Sequence, residues 1–147
     1  MGCSSDWRTD MWYQPSLRPE DAPRPQPDRS IPLGAGPGYA GRDDLEDVPN
    51  PVQPTAASLR HGKALFLARC APCHGTEGHG GGPVSKYFPP APDLAYASVR
   101  QHSDGYLFGT ITFGGRAMPS QREGLSARDR WDLVNHVRAI QGRTPTP

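Results

Sequence analysis

Cys70-Ala71-Pro72-Cys73-His74 is the stretch whose reading decides this chain. Two cysteines three positions apart, with a histidine directly after the second, match the spacing of a c-type haem attachment site. Two such thiols reach the two vinyl groups of one porphyrin and form thioethers. The adjacent imidazole then coordinates the iron from the proximal side. The spacing predicts one haem c, with Cys70 and Cys73 as covalent attachment sites and His74 as proximal iron ligand. A redox dithiol and half of a zinc site share the C-x-x-C pattern. A zinc site needs two more ligands at matching spacing, and the chain has no second cysteine pair. A thioredoxin-like dithiol opens a helix after a strand, whereas Leu59 to Arg69 ahead of Cys70 reads as helix.

The composition around this stretch is consistent with a domain built on a cofactor. At 147 residues the chain has room for one domain and not comfortably two. Only 35% of residues are hydrophobic, and a covalently held macrocycle would supply core that the side chains do not. The 17 glycines and 18 prolines signal long loop and extended segments. A formal net charge of +1, with no basic block, gives no ground for nucleic acid as a partner. No stretch approaches the ~20 apolar residues of a membrane span.

The chain divides unequally. Residues 1–54 hold ten of the eighteen prolines, a density that forbids helix and interrupts sheet ladders. They read as an extended, irregular N-terminal arm. Pro23 to Pro27 is expected as polyproline II and Arg42 to Asp47 as a solvated charge run. Trp7, Trp12, Tyr13 and Tyr39 either anchor the arm in grooves of a partner or pack back on the following domain. Residues 55–142 read as the haem domain and 143–147 as a short tail.

Within that domain a first helix is expected from Thr55 or Ala56 to Arg69, with Leu59, Lys63, Phe66, Leu67 and Cys70 as its stripe. Gly62 is costly inside a helix, by about 1 kcal/mol relative to Ala, and is tolerated where another helix crosses closely. Gly75 to Pro92 is expected as loop. A short helix follows over Asp104 to Ile111, capped by Ser103 or Asp104. The last helix begins at Ser126, with Asp129 completing a capping-box-like start, and ends at Gly142. Trp131, Leu133, Val134, Val137 and Ile140 form its buried face.

The second axial iron position points to Met118, 44 residues after His74 in Gly114-Gly115-Arg116-Ala117-Met118-Pro119. A methionine between a glycine-rich loop and a proline suits a rigid extended segment laid over a haem face. A thioether ligand raises the reduction potential relative to histidine. Met1 and Met11 lie in the proline-rich half. His61, His79, His102 and His136 are the alternatives, each with a surface, capping or packing role to fill. Arg116, beside Met118, is the preferred partner for a haem propionate, with Lys86 and Arg100 also in suitable loops and a solvated surface charge as the competing role.

Met1 is followed directly by Gly2-Cys3, with no signal peptide ahead of it. Bacterial haem c is attached outside the cytoplasmic membrane, so export is required. Gly2-Cys3-Ser4-Ser5 resembles the end of a lipoprotein signal, which makes Cys3 the expected lipidation site of a sequence truncated near its cleavage point. A free thiol is the alternative. Myristoylation of Gly2 fits less well, because Asp6 stands where the pattern needs Ser or Thr.

Together, a helix running into C-x-x-C-H, the Pro92-Asp93-Leu94 loop, a glycine-rich Met-Pro loop and a terminal helix bearing Trp131 resemble class I monohaem cytochrome c over about Thr55 to Gly142. The order of the whole chain resembles more narrowly the monohaem lipoprotein subunit of alternative complex III, a bacterial quinol:electron-acceptor oxidoreductase. The features behind that second resemblance are the lipobox-like cysteine, Asp10-Met11-Trp12-Tyr13-Gln14-Pro15 and Asn50-Pro51-Val52. The chain departs from the pattern at Gly78-His79-Gly80, where Gly-Asp-Gly is usual.

These resemblances imply a mainly α class I fold around one haem and a one-electron carrier that is not itself an enzyme. They also imply a lipid anchor on the periplasmic face of the cytoplasmic membrane. Its partners would be other subunits of a membrane electron-transfer complex, with a soluble cytochrome or terminal oxidase as acceptor. A stand-alone lipoprotein carrier is the nearest alternative. A haem peroxidase or gas sensor would require an open distal site.

Overall fold

The computed structural model describes residues 38–143. Cys3, Trp7, Trp12, Tyr13, the Pro23 to Pro27 stretch and the final residues 144–147 lie outside that range. Among the described residues the structure is helical, with no strand. A single 3-10 turn, Asp43–Leu45, precedes five helices: α1 (Ala56–Arg69), α2 (Ala71–His74), α3 (Ala97–Arg100), α4 (Asp104–Phe113) and α5 (Ala127–Ile140).

The long helices start where side chains satisfy their free N–H groups. Thr55 Oγ1 accepts from the Ser58 N–H at 3.2 Å, and Ser103 Oγ accepts from the Tyr106 N–H at 3.0 Å. Ser103, not Asp104, is therefore the cap of α4, which runs two residues beyond the expected Ile111. At α5 the box is complete: the Asp129 N–H donates to Ser126 Oγ at 3.1 Å and the Ser126 N–H donates to Asp129 Oδ2 at 2.9 Å. Gly142 follows α5 in the left-handed region, at φ 66°.

α1 and α5 make the principal helix pair. The buried side of α1 is Ser58, Gly62 and Phe66, at i, i+4 and i+8. The expected apolar stripe is corrected here, since Leu67 is 43% exposed and Lys63 faces solvent. The reason is steric. A Cβ on Gly62 would collide with the Asp132 carbonyl of α5 and come within 3.1 Å of the His136 Cβ. The helices touch backbone to backbone, so small residues take the place that size-based patterning assigns to large ones. On α5, Trp131, Leu133, Val134 and Val137 are buried as expected, and Ile140 packs at the rim. Phe108 of α4 stacks on Trp131 with ring centroids 4.1 Å apart.

The charge run Arg42 to Asp47 also differs from expectation. Leu45 within it is 1% exposed and belongs to the core. Gly105 and Gly109, one turn apart on α4, let this segment approach: a Cβ on Gly109 would sit 2.9 Å from Arg42, and one on Gly105 would collide with the Leu45 carbonyl. Tyr39 likewise packs against the core.

Candidate functional site

Cys70 closes α1, its N–H donating to the Phe66 carbonyl at 2.8 Å, and also opens α2. Pro72 fits the first turn of α2, where its missing N–H costs nothing. The Cys73 and His74 N–H groups both donate to the Cys70 carbonyl, at 3.1 and 2.9 Å. One tight turn thus carries both thiols and the imidazole. Gly75 ends it at φ 73°, and a Cβ there would lie 2.5 Å from the Gly80 carbonyl.

The two cysteines are free and half-buried. Burial, with the neighbouring Cys73 second, pushes the Cys70 thiol up to about 11. His74 is pulled below its ordinary value by burial, which the hydrogen bond to Pro92 partly opposes. His74 Nδ1 lies 3.3 Å from the Pro92 carbonyl oxygen. A carbonyl only accepts, so Nδ1 carries the proton and Nε2 keeps its lone pair for a metal.

Met118 sits on a second loop, half-buried and packed on the same core cluster as Cys70 and Leu94. That loop is tightly closed. Gly114 turns at φ 83°, the Gly115 N–H donates to the Met118 carbonyl at 2.9 Å, and the Gln121 N–H donates to the Ile111 carbonyl at 2.9 Å. The Ser120 hydroxyl donates to the Thr112 carbonyl at 2.6 Å. Arg116 is exposed on the loop.

The other histidines each have neighbours elsewhere. His61 Nε2 is 2.8 Å from Asp129, and His79 Nδ1 is 2.9 Å from Asp93. His102 stacks on Tyr106 at 3.8 Å, and His136 meets Phe66 edge-on at 5.2 Å.

These residues fit a covalent haem. The donor set is two free thiols and an imidazole with Nε2 available, on one turn. Thr110 Oγ1, in the helix leading to the Met118 loop, is buried without a hydrogen-bond partner among the described residues. A polar group of the cofactor would relieve the cost of that orphaned hydroxyl. Leu67, Tyr87, Phe88 and Tyr96 remain exposed as large apolar surface. The Pro92 carbonyl is the functional group that residue patterns did not single out. Pro92-Asp93-Leu94 marked the segment but not the atom.

Comparison with known proteins identifies the family. A family profile, cytochrome c oxidase, cbb3-type, subunit III, matches residues 57–137, more than half of the chain. Curated proteins include no match to it. Among solved structures, a chain of the Kuenenia stuttgartiensis reducing HAO-like protein complex is 28% identical with a TM-score of 0.53, covering 61% of this chain and 46% of that one. This chain therefore spans less than half the length of that neighbour. The KustC0563 c-type cytochrome is 25% identical with a TM-score of 0.46, over 56% of this chain and 95% of its own. Cytochrome CL from the marine methylotrophic bacterium Methylophaga aminisulfidivorans MPT is 24% identical with a TM-score of 0.48, over 73% and 72%. The chain belongs to the cytochrome c oxidase, cbb3-type, subunit III family and is a monohaem electron-transfer cytochrome of class I fold carrying one covalently bound haem c.

Proposed function

We propose that Cys70 and Cys73 carry the two thioethers, that His74 and Met118 ligate the iron, and that the chain is a one-electron carrier within a membrane-bound quinol-oxidising complex. The observation that carries the ligand assignment is the His74 ring. Its Nδ1 is committed to the Pro92 carbonyl, leaving Nε2 free on the turn that holds both thiols. Support for Met118 comes from its closed loop on the shared core and from the other partners held by His61, His79, His102 and His136.

When bound, the haem supplies a one-electron iron couple. The protein's part is to hold geometry. The α2 turn fixes the thiols against the imidazole, Pro92 fixes the ring and its tautomer, and the Gly114 to Ser120 loop holds the thioether. Ligands held this firmly stay in place in both oxidation states, which keeps reorganisation small. Arg116, at the exposed tip of that loop, is proposed to face a propionate.

The remaining placement follows the order of the chain. A lipid on Cys3 would anchor the protein at the periplasmic face, and residues 1–54 would bind the other subunits ahead of a cytochrome domain at 55–142. Among the described residues no helix is long and apolar enough to cross a membrane; the proposed anchor at Cys3 rests on the lipobox-like Gly2-Cys3-Ser4-Ser5. A single acyl chain binds only marginally, and two or three would hold the protein there. The narrower proposal is the subunit role in alternative complex III, with a soluble cytochrome or terminal oxidase as acceptor.

Absorption spectra of the oxidised and reduced protein test the ligands. A low-spin reduced spectrum, a weak near-infrared band in the ferric form and no response to carbon monoxide are expected. Ready carbon monoxide binding by the unmodified protein would mean an open iron and would move the reading to a peroxidase or gas sensor. Mass spectrometry of the N-terminal peptide after membrane extraction tests the anchor, with acylated Cys3 as the expected product.

A further inference from the structure

The carbonyl that holds His74 is itself held. Pro92 lies on a segment that meets the loop after His74 at three points. The Leu94 N–H donates to the Gly78 carbonyl at 2.8 Å, and His79 Nδ1 lies 2.9 Å from Asp93 Oδ2. Gly80 backs onto Ala91 so closely that a Cβ would stand 2.8 Å from the Ala91 carbonyl. The loop also grips His74 directly, the Gly80 N–H donating to its carbonyl at 2.7 Å. One loop thus holds the main chain of His74, while the segment clasped to it holds the ring.

We propose that His79 and Asp93 are positioning residues for the proximal iron ligand, setting its donor strength by fixing the Pro92 carbonyl. This rests on His74 being that ligand. The Pro92 carbonyl and the Asp93 nitrogen belong to one planar peptide unit, so restraining Asp93 restrains the carbonyl. Asp93 is restrained from both sides: Oδ1 accepts from the Ala95 N–H at 2.7 Å while Oδ2 meets His79. The His74–Pro92 contact, at 3.3 Å, is already long for an N–H···O bond. A small rotation of that peptide weakens it further. An Nδ1–H···O=C bond makes the imidazole more basic and a stronger donor, which favours the ferric state. Loosening the clasp therefore raises the reduction potential.

The His79 side chain is exposed, at 63%, and Asp93 partly exposed, at 22%. Exposed ion pairs contribute little to stability, so removing this one leaves the fold in place. A fault in ligand positioning is thereby separable from a fault in folding.

The test is potentiometric titration of the haem-loaded full chain as wild type, His79→Ala, His79→Gln, Asp93→Ala and the double alanine variant. In His79→Ala the ferrous-to-ferric ratio at fixed ambient potential is expected to rise about tenfold, the low end for an outer-shell partner. For a one-electron couple this is ~59 mV upward. The low-spin spectrum and melting temperature stay unchanged, and the hyperfine-shifted ring protons of His74 move with the potential. His79→Gln, which retains an N–H for Asp93, recovers most of the shift. In the Asp93→Ala background, His79→Ala adds nothing.

An unshifted potential in His79→Ala overturns the proposal, as does a shift that accompanies a lowered melting temperature and is not recovered by Gln. His74→Ala separates this from the ligand assignment. If that variant keeps the low-spin spectrum, His74 is not the ligand and both readings fall. If it turns high-spin while His79→Ala leaves the potential unmoved, the clasp alone is wrong.

Discussion

Met118, the proposed distal ligand, is the residue on which the proposed chemistry turns. Its thioether is neutral and soft, and the loop that carries it is closed by backbone and Ser120 hydrogen bonds. Met118→Ala is expected to leave the thioethers and the fold intact while opening the iron. The reduced protein should then bind carbon monoxide and the ferric near-infrared band should vanish, as read by absorption spectroscopy. Met118→His should keep a low-spin iron with a lower reduction potential, because imidazole stabilises the ferric state better than a thioether. Retention of the near-infrared band in Met118→Ala would remove it from the iron.

At the scale of elements, the α1–α5 crossing bears the most weight. Gly62 lies against the Asp132 carbonyl, so Gly62→Ala must push two backbones apart. Helix propensity alone would favour the alanine by about 1 kcal/mol. The clash should win, with a net loss of roughly 1–3 kcal/mol in denaturant unfolding of the haem-loaded protein. At the start of α5, Ser126→Ala removes one half of a capping box and should cost about 1 kcal/mol.

The same two helices give the fold an acid-side dependence. His61 first, then the Ser126 side chain and backbone, hold the Asp129 carboxyl down to about 2. A carboxyl depressed on folding stabilises fully above its unfolded value of 3.8 and loses that contribution as pH falls through about 2. His136 is lowered by burial and secondly by Lys63. A histidine kept neutral on folding contributes fully above 6.5 and loses stability as pH falls below that value. Unfolding midpoints measured against pH should therefore decline in two stages. Asp129→Asn should shrink the lower stage, to which Asp93, lowered by the Ala95 N–H and by His79, also contributes, and His136→Gln should shrink the upper.

For the whole molecule, the question is how the segment before α1 is tied to the helices. Asn135 of α5, 2% exposed, answers it. Its Nδ2 donates to the Val52 carbonyl at 3.0 Å and to Ser58 Oγ at 2.9 Å, and its Oδ1 accepts from Asn50 at 2.8 Å. The Ser58 hydroxyl donates onward to Asp132. Asn135→Ala strands several of these groups, at about 1–3 kcal/mol for each left buried and unsatisfied. Limited proteolysis should then cut the chain between 46 and 54 faster than in the wild type, with the haem spectrum unchanged. Equal cleavage rates would mean that the packing of Leu45, Tyr39, Val48 and Val52 on the core holds the segment without Asn135.

What the sequence determined by itself is what five or fewer consecutive residues encode. The thiol and imidazole spacing, the Ser126 cap and the Gly142 stop are set by neighbours in the chain, where covalent geometry leaves few choices; the choice of Ser103 over Asp104 as the cap of α4 came from the structure. The aromatic and aliphatic face of α5 was legible too, because large side chains at helical spacing have one place to go. The tertiary structure decided contacts whose partners are main-chain atoms or the absence of a side chain. The Pro92 carbonyl on His74, the Asp132 carbonyl against Gly62 and the burial of Leu45 against Gly105 all join stretches far apart in sequence. A carbonyl is present at every residue and so marks none of them. Which one meets a given side chain depends on how helices cross and loops close, and no local pattern carries that information.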